Sequence, residues 1–412
     1  MRDILHQAYV ALRYNRRRSA MTMLGMAWGI ATVVLLLAYG DGFGRAIYNI
    51  FKTYGIKVIG VFPGTTSLQS GGSKAGSRIR FVIEDIERLR QTVPQITRIT
   101  PCMGRELPVN YENRSYRLQI DAEYPSGREI FNQAIAEGIW FNAEHELERS
   151  HVAVLGADAR KKLFGNRNAL GEYIRIRGIP FEIIGVARPK MQEDGGNFTE
   201  RVYISWSAMG DLVNTHYVDQ IWVMYDVADY NGVENSIRAA LASQYNFRNE
   251  DQRAVFIRTA EKDLAEFRIV IIGLKLLLVF IGALTLGIGG VGLMNIMLVA
   301  VTQRTREIGM LKALGARRRQ VMLQFLAEAL TITAAGGLIG ILLAYGIAYA
   351  FGTITLYSAI AENGEAGDIR LIISPWTVLV STLILGAVGL ASGLGPAIRA
   401  SRLDPIEALR YE

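Results

Sequence analysis

The stretch LLLVFIGALTLGIGGVGLMNIMLVAVTQRTREIGMLKALGARRRQ, residues 276–320, determines how this chain is organised. Its first part is an apolar run long enough to cross a bilayer as a helix, which needs about 20 residues. Its second part is polar and carries six basic residues against the single acidic residue Glu307. These six are Arg304, Arg306, Lys312, Arg317, Arg318 and Arg319. Dense basic charge beside an apolar run is typical of the cytoplasmic side of a membrane span.

The basic segment also carries an apolar pattern. Ile308, Leu311 and Leu314 recur at helical spacing, which predicts that they share one face of a short helix. Gly315 is expected to end that helix. A charged helix with an apolar ridge is suited to docking on a partner. We therefore predict a coupling segment at residues 302–320, with these candidate residues: Arg304, Arg306, Glu307, Ile308, Leu311, Lys312, Leu314 and Arg317.

Three further apolar runs predict membrane-spanning helices, which makes four in all. The predicted spans are residues 20–42, 269–301, 321–352 and 376–398. Basic residues also accompany the two ends of the chain, whereas the short loop at residues 353–375 is acidic. The positive-inside rule then places both termini, including the tail at residues 399–412, in the cytoplasm.

The N-terminal residues 1–19 are expected to form an amphipathic helix on the cytoplasmic side, lying in the plane of the membrane interface. The alternative is the start of a cleaved signal peptide. Against that alternative, the apolar run from Met21 to Tyr39 is long for a signal peptide, and no clear cleavage site follows it.

Residues 43–268 contain no run that could cross a membrane, and their pattern is globular. A strand–helix–strand pattern in residues 55–101 recurs in residues 217–260, which predicts one lobe built from a pseudo-repeat. Residues 102–216 would form a second, inserted lobe. Within it we expect a hairpin with its turn at residues 178–180.

The predicted fold class is therefore an α-helical membrane protein with four transmembrane helices. A two-lobed α+β periplasmic domain is inserted between helices 1 and 2.

Composition disfavours a nucleic-acid-binding protein and rules out an internal disulfide. The chain has 412 residues and a net charge of +7, and it is long enough for more than one domain. Its basic residues cluster beside the spans, which favours membrane orientation over nucleic-acid binding. The single cysteine, Cys102, cannot form an internal disulfide.

Glycines recur inside the predicted spans, among them Gly287, Gly290, Gly336 and Gly340. A phosphate-binding loop would need a preceding strand and an exposed helix N-terminus. Small residues within a span instead allow neighbouring helices to approach closely, so we assign these glycines to helix packing. No GxxxxGK[ST] motif occurs in the chain, so we expect it to bind no ATP in a P-loop.

No constellation of catalytic or metal-binding residues stands out. His145 and His151 lie among glutamates but lack the same-face spacing of a helical metal site, so we predict no metal. Glu328 is ionisable and lies near a span end, where we expect it to pair with a cytoplasmic arginine. Lys275 is expected to reach the outer interface. Ion transport through these two residues is the alternative.

Four motifs resemble the permease subunits of MacB/FtsX-type ATP-binding-cassette transporters, and the resemblance covers nearly the whole chain. The first runs from GGVGLMNIM to QFLAEAL at residues 289–330, and the last is PAIRASRLDPIEALRYE at residues 396–412. The other two motifs lie earlier in the chain: VAVLGADARKKLFG at residues 152–165 and ALGEYIRIRGIPFEIIGV at residues 169–186. The motifs at residues 152–165 and 169–186 favour the MacB-like branch of the family.

The resemblance implies a mechanism. Members of this family have four spans and a two-lobed periplasmic domain, and they reside in the bacterial inner membrane as dimers. The segment at residues 304–320 matches the family's contact with an ABC ATPase, which holds ATP and Mg. Closure of the ATPase is thought to be transmitted to the periplasmic domains, which act on substrate there.

The same resemblance implies the partners. MacB carries its ATPase on the same polypeptide, and this sequence contains none, so a separate ATPase subunit is expected. A second copy of the chain or a related permease would complete the dimer, in contact with membrane lipids. A periplasmic adaptor, an outer-membrane channel and the identity of the substrate stay open.

The leading hypothesis is a permease subunit for efflux or export that contains no catalytic residues. A transmembrane regulator or sensor of periplasmic partners, such as cell-wall hydrolases, is the alternative. A membrane-anchored enzyme is disfavoured by the lack of a recognisable active-site motif.

Overall fold

The computed structural model describes residues 16–69, 75–190, 198–354, 358 and 367–410. The chain divides into two compact units. The helical unit comprises Met1–Ala46, Arg268–Thr355 and Asp368–Glu412, and the α/β unit comprises Ile47–Phe267 and Leu356–Gly367. The N-terminal helix predicted at residues 1–19 lies outside the described residues, except that residues 16–19 begin the first helix.

The helices and strands follow one another along the chain in this order: α1 (Arg16–Tyr54), β1 (Val58–Pro63), β2 (Phe81–Val82), α2 (Glu84–Thr92), β3 (Ile96–Tyr111), β4 (Arg114–Glu123), α3 (Gly127–Ile130), β5 (Ile135–Gly138), α4 (Ala143–Leu147), β6 (Val152–Leu155), α5 (Ala157–Phe164), β7 (Tyr173–Ile176), β8 (Ile179–Ala187), a 3₁₀ turn (Phe198–Glu200), β9 (Val202–Ser205), α6 (Trp206–Met209), β10 (Tyr217–Val218), β11 (Gln220–Tyr225), α7 (Tyr230–Tyr245), β12 (Val255–Thr259), α8 (Ala260–Gln303), α9 (Thr305–Ala313), α10 (Arg318–Phe351), β13 (Thr353–Ile354), β14 (Ile369–Arg370), α11 (Pro375–Arg402) and α12 (Pro405–Arg410).

In the part of the chain that the structure describes, four helices are long and apolar enough to cross a membrane. They are Ala20–Thr53 within α1, α8, α10 and α11. Local sequence signals explain where two of them begin and end. Ser374 caps α11, accepting a hydrogen bond at Oγ from the backbone N–H of Thr377 at 3.1 Å, and Pro375 takes the first helical position. Gly352, with φ of +51°, follows the end of α10.

Three of the predicted packing glycines are points of close helix contact. A Cβ atom built on Gly340 would overlap the side chain of Ile30 in α1, and one on Gly336 would lie 3.0 Å from α1. A Cβ on Gly290 would overlap α11. Gly287 differs, because a Cβ there would meet no atom within 4 Å among the described residues. The packing prediction for Gly287 therefore has no supporting contact among the described residues and stays a prediction.

Lys275 and Asp41 form an ion pair between α8 and α1. The Nζ of Lys275 donates to Oδ1 of Asp41 at 2.6 Å, and Oδ2 of Asp41 accepts from Thr377 Oγ1 at 3.2 Å. A charged lysine beside an apolar run thus has a specific partner, and three helices meet at the Asp41 carboxylate.

The α/β unit contains a ten-stranded sheet in the order β12-β1-β11-β3-β4-β9-β6-β8-β5, with β7 paired to both β3 and β8. Most neighbours are antiparallel, while β4–β9 and β6–β8 are parallel. Strand β3 is 16 residues long; its first part pairs with β11 and its second part with β4. Strands of both predicted lobes therefore join one sheet, because β3 runs through the expected boundary at Cys102.

The helices of the α/β unit cover this sheet through regular apolar faces. Helix α2 buries Ile86 and Leu89, and α7 buries Val233, Ile237 and Leu241 in the same core. Spacings of three and four residues place these side chains on one face of each helix. The lobe boundaries themselves stay a prediction.

The expected hairpin is present as β7 and β8, but its turn is one residue earlier than predicted. Ile176 pairs with Ile179, so Arg177 and Gly178 form a two-residue loop. Both have positive φ, at +49° and +90°. This is the backbone of a type I′ turn, which matches the twist of the strands, whereas Pro180 lies within β8.

Candidate functional site

The basic segment contains a short helix, α9, which packs against the long helices through a buried apolar side chain. Ile308 in α9 is only 2% exposed and packs with residues of α8 and α10. The other buried members of this cluster are Leu293, Met297, Val301, Val321, Phe325, Ala329, Ile332, Ala397 and Ala400. Leu314 follows as the C-cap residue, and Gly315, with φ of +98°, ends the helix as predicted.

The exposed surface of α9 and its C-cap carries an apolar ridge. Met310, Leu311 and Leu314 are 51%, 43% and 86% exposed, and we call these three residues the docking ridge. Ile308 does not belong to it, so the prediction that Ile308 contacts a partner beside Leu311 and Leu314 is wrong. Periodicity places residues on a common face but does not say which face packs inward.

Lys312 also has an internal role instead of the predicted partner contact. Its Nζ donates to the carbonyl oxygen of Ser401 at 3.0 Å and to that of Leu403. These carbonyls belong to the C-terminal end of α11, where the helix leaves acceptors without intrahelical donors. A lysine is well placed there because its charge opposes the negative end of the helix dipole.

Arg304 and Glu328 fix the start of α9 to α10. The Nη1 of Arg304 donates to Oε2 of Glu328 at 3.3 Å, and both side chains are mostly buried. Glu328 therefore pairs with an arginine of the basic segment. The structure leaves Arg306 and Glu307 exposed on α9, and Arg317 exposed at the N-terminus of α10.

A second short helix beside α9 was not predicted from the sequence. Helix α12 packs against α9, with Ala408 buried at 2% and Ile406 exposed at 78%. Asp404 caps α12 by accepting from the backbone N–H of Ile406 at 2.8 Å. The Asp404-Pro405 pair is a typical helix start, with a capping side chain and then proline at the first position, so the signal was present in the sequence.

The two histidines considered for a metal site have separate structural roles. His145 completes a capping box at α4: its backbone N–H donates to Asn142 Oδ1 at 3.0 Å, and its Nδ1 accepts from the Asn142 N–H at 3.2 Å. His151 lies 2.8 Å from Asp211 through Nε2.

The α9–α12 surface combines exposed apolar area with basic charge. The docking ridge and Ile406 offer apolar area, and exposed basic side chains at Arg306, Arg317, Arg318 and Arg319 lie on the same segment. Such a surface fits a partner with an apolar groove and an acidic rim. Ile308, Lys312 and Arg304 tie α9 to three other helices, α8, α10 and α11.

Two family descriptions match this chain. A MacB-like periplasmic core domain matches residues 19–240, and an FtsX-like permease C-terminal region matches residues 279–405.

Curated relatives match along the whole chain. The macrolide export ATP-binding/permease protein MacB of Bdellovibrio bacteriovorus is 31% identical over 415 residues, which cover 100% of this chain and 62% of that protein. The pyoverdine export ATP-binding/permease protein PvdT of Pseudomonas aeruginosa is 32% identical over 409 residues, covering 99% of this chain and 58% of that protein. The chain thus spans about three fifths of the length of these relatives.

Among solved structures, the periplasmic region of MacB from Actinobacillus actinomycetemcomitans is similar, with a TM-score of 0.44 and 18% identity. The match covers 54% of this chain and 97% of that structure. The resemblance seen in the sequence motifs is confirmed by the two domain matches and the whole-length relatives. The chain belongs to the MacB/FtsX-like family of ABC transporter permeases and is a membrane protein with a MacB-like periplasmic core domain.

Proposed function

We propose that this chain is the permease of an ABC transporter complex and transmits ATP-driven motion to its periplasmic unit. Helices α1, α8, α10 and α11 would cross the inner membrane, with both termini in the cytoplasm. The docking ridge would seat on an ABC ATPase, which binds ATP and Mg and performs the hydrolysis. The chain itself would contribute no catalytic residue.

The observation that carries this proposal is the construction of α9. The helix is fixed by the buried Ile308 and by the bonds of Lys312, while Leu314 at its C-cap is 86% exposed. An exposed leucine on a rigidly held helix suits a permanent contact, because burying it against a partner would contribute about 2 kcal/mol. A rigid support then transmits displacement instead of absorbing it.

The names of the relatives support export as the direction of transport that we propose. Both are described as export proteins, one for macrolides and one for pyoverdine. We propose that the complex exports a small organic molecule from the periplasm. A second copy of this chain or a related permease would complete the complex, and an adaptor and an outer-membrane channel are the further partners expected for export across the envelope.

The test is co-purification of the tagged chain from its native membrane in mild detergent. The wild-type chain should bring a stoichiometric ABC ATPase with it. Leu311→Asp and Leu314→Asp should each remove that ATPase, because a carboxylate cannot be buried in an apolar groove without a partner. Membrane insertion should remain unchanged, since neither side chain is part of the core.

Leu147→Asp is the matched control. Leu147 is 84% exposed but lies in the α/β unit, so its substitution should leave the ATPase bound. Retention of the ATPase by Leu314→Asp, or its absence from the wild-type preparation, would count against the docking role. A cell-wall hydrolase in place of export partners would favour regulation.

A further inference from the structure

The α/β unit contains a cavity of about 770 Å³ that the docking mechanism does not use. It is lined by parts of β3, β4, β9 and β11 and by the short segments of α1 and α8 that belong to this unit. Cavities that hold drug-sized ligands are commonly about 300–1,000 Å³ in volume. The cavity is therefore large enough for a small organic molecule.

One wall of the cavity is aromatic. Trp222 makes edge-to-face contacts with Phe131, at 5.3 Å between ring centroids, and with Phe62, at 5.8 Å. All three side chains line the cavity. Aromatic surfaces of this kind bury the apolar body of a ligand, and their faces attract positive charge.

The charged groups at the other wall differ in their hydrogen bonding: the two cationic side chains have acceptors, whereas one carboxylate oxygen has no donor in the part of the chain that the structure describes. Arg201 donates to Asp121 at 2.6 Å, and the Nζ of Lys190 donates to the carbonyl oxygen of Phe131. Glu123 is 2% exposed, and its Oε1 has no hydrogen-bond partner among the described residues. Such an unsatisfied buried acceptor is costly unless a ligand or water completes it.

Burial also affects the ionisation of this wall. Burial, and then the nearby Asp121 carboxylate, raise the pKa of Glu123 well above its ordinary value, whereas Lys190 and Arg201 oppose the rise. Burial lowers the pKa of Lys190 to about 8, and Glu123 opposes that change. Burial thus disfavours the carboxylate form of Glu123, and a cation placed beside it would favour that form.

We propose that this cavity binds a small amphiphilic organic cation, with its positive group at Glu123 and its apolar body against Trp222 and Phe131. The inference deepens the proposed function, because it names the class of substrate that the complex would export. The binding itself does not depend on an ATPase.

An anion is the less suitable occupant. The cationic groups that could receive it, on Arg201 and Lys190, already donate to Asp121 and to the Phe131 carbonyl. The acceptor that remains to be satisfied, on Glu123, would repel it. A cation gains both a charge-assisted hydrogen bond and contact with aromatic faces.

The test uses the purified full-length chain in lipid nanodiscs with two dyes that share a xanthene core. Rhodamine 6G is a cation and fluorescein is an anion, and binding of each is followed by fluorescence anisotropy. Wild-type protein should bind rhodamine 6G at least about tenfold more tightly than fluorescein. Glu123→Gln should weaken rhodamine binding by about tenfold or more, since a charge-assisted bond becomes a neutral one.

Two further variants keep the result interpretable. Glu106→Gln, at an exposed glutamate outside the cavity lining, should bind rhodamine 6G as the wild type does. Trp222→Phe should abolish most of the tryptophan quenching that the bound dye causes, which locates the dye in the cavity. Glu123→Gln should fold normally, because the amide resembles the neutral carboxyl, and its thermal midpoint checks this.

Absence of rhodamine binding to the wild type, equal binding of the two dyes, or unchanged binding by Glu123→Gln would each overturn the proposal. Quenching that persists in Trp222→Phe would place the dye elsewhere and would overturn it as well. Retention of the ATPase by Leu314→Asp would count against the docking role but would leave dye binding by the purified chain unaffected, so the two ideas fail separately.

Discussion

Lys275 and Asp41 are 234 residues apart in the chain, yet the Nζ of the lysine donates to Oδ1 of the aspartate at 2.6 Å. The two side chains are 37% and 26% exposed, so the pair lies largely within the helical unit. A charge beside an apolar helix surface is costly unless a partner compensates it. The pair therefore fixes α8 to α1. It also compensates the charge of a lysine that lies within an apolar helix.

Removing one member of this pair should destabilise the helical unit more than removing both. Lys275→Met leaves the Asp41 carboxylate without its cation, and we expect a loss of about 1–2 kcal/mol. This is below the roughly 3–5 kcal/mol of a fully buried pair, because both groups are partly exposed. The double variant Asp41→Asn with Lys275→Met should recover most of the loss. Thermal unfolding in nanodiscs measures both.

Lys57→Met is the control for the ion-pair prediction. Lys57 and Asp226 make an ion pair of 2.7 Å, but their side chains are 47% and 78% exposed. Removing an exposed pair should change stability by less than about 1 kcal/mol. Equal shifts for Lys57→Met and Lys275→Met would contradict the importance of burial at Asp41.

The Arg304–Glu328 pair should be needed for coupling and not for membrane insertion. Glu328→Gln weakens the bond that ties the start of α9 to α10, so displacement of the docking ridge would reach α10 less effectively. We expect at least a twofold loss of permease-dependent ATPase stimulation, with the ATPase still bound. Exchanging the charges, as Arg304→Glu with Glu328→Arg, should restore part of it. If Glu328→Gln leaves assembly and coupling unchanged, this role is refuted.

Two glycines that look alike in sequence should respond differently to alanine. A Cβ at Gly340 would overlap the side chain of Ile30 and the backbone carbonyl of Ala27, and the backbone cannot yield easily. Gly340→Ala should therefore cost about 1–3 kcal/mol of stability. Gly287→Ala has open space and should be neutral, or slightly stabilising through helix propensity. Thermal midpoints in nanodiscs test the contrast, and equal destabilisation by both would contradict it.

Local signals were enough to predict several features of this chain from its sequence. Apolar length predicted the four long helices, and the spacing of Ile308, Leu311 and Leu314 with a terminal Gly315 predicted α9. Both depend on neighbouring residues, so periodicity and capping suffice. The family followed from motifs distributed along the whole chain.

Tertiary partners could not be predicted in the same way. The sequence shows that Ile308 and Leu311 share a helix face region but not that the first packs inward. The partners of Lys275 and Lys312 lie far away in the chain, and their pairing depends on how the helices pack. The cavity around Glu123 depends on strands from distant segments, so no local pattern announced it.

Glu146 should make the stability of the α/β unit depend on pH. Its Oε1 accepts from the backbone N–H of Ser207 at 3.1 Å, but its Oε2 has no hydrogen-bond partner among the residues described. Burial raises the pKa of Glu146 to about 6, from an ordinary value of 4.5. Between these two pH values the folded protein keeps a proton that the unfolded chain has released. Stability from this group is therefore present below pH 4.5 and is lost as the pH rises through about 6.

The expected loss across this window is about 1 kcal/mol, which is half the value from the pKa difference because the carboxyl is partly exposed. For a unit of this size it corresponds to a fall of about 2–4 °C in the thermal midpoint. Glu146→Gln should remove this fall, since the amide keeps the acceptor for Ser207 and does not titrate. Glu144→Gln, at an exposed glutamate of the same helix α4, should keep it. Unfolding of the α/β unit followed by fluorescence between pH 4.5 and 7 decides the matter: a fall that persists in Glu146→Gln would assign the effect to another group.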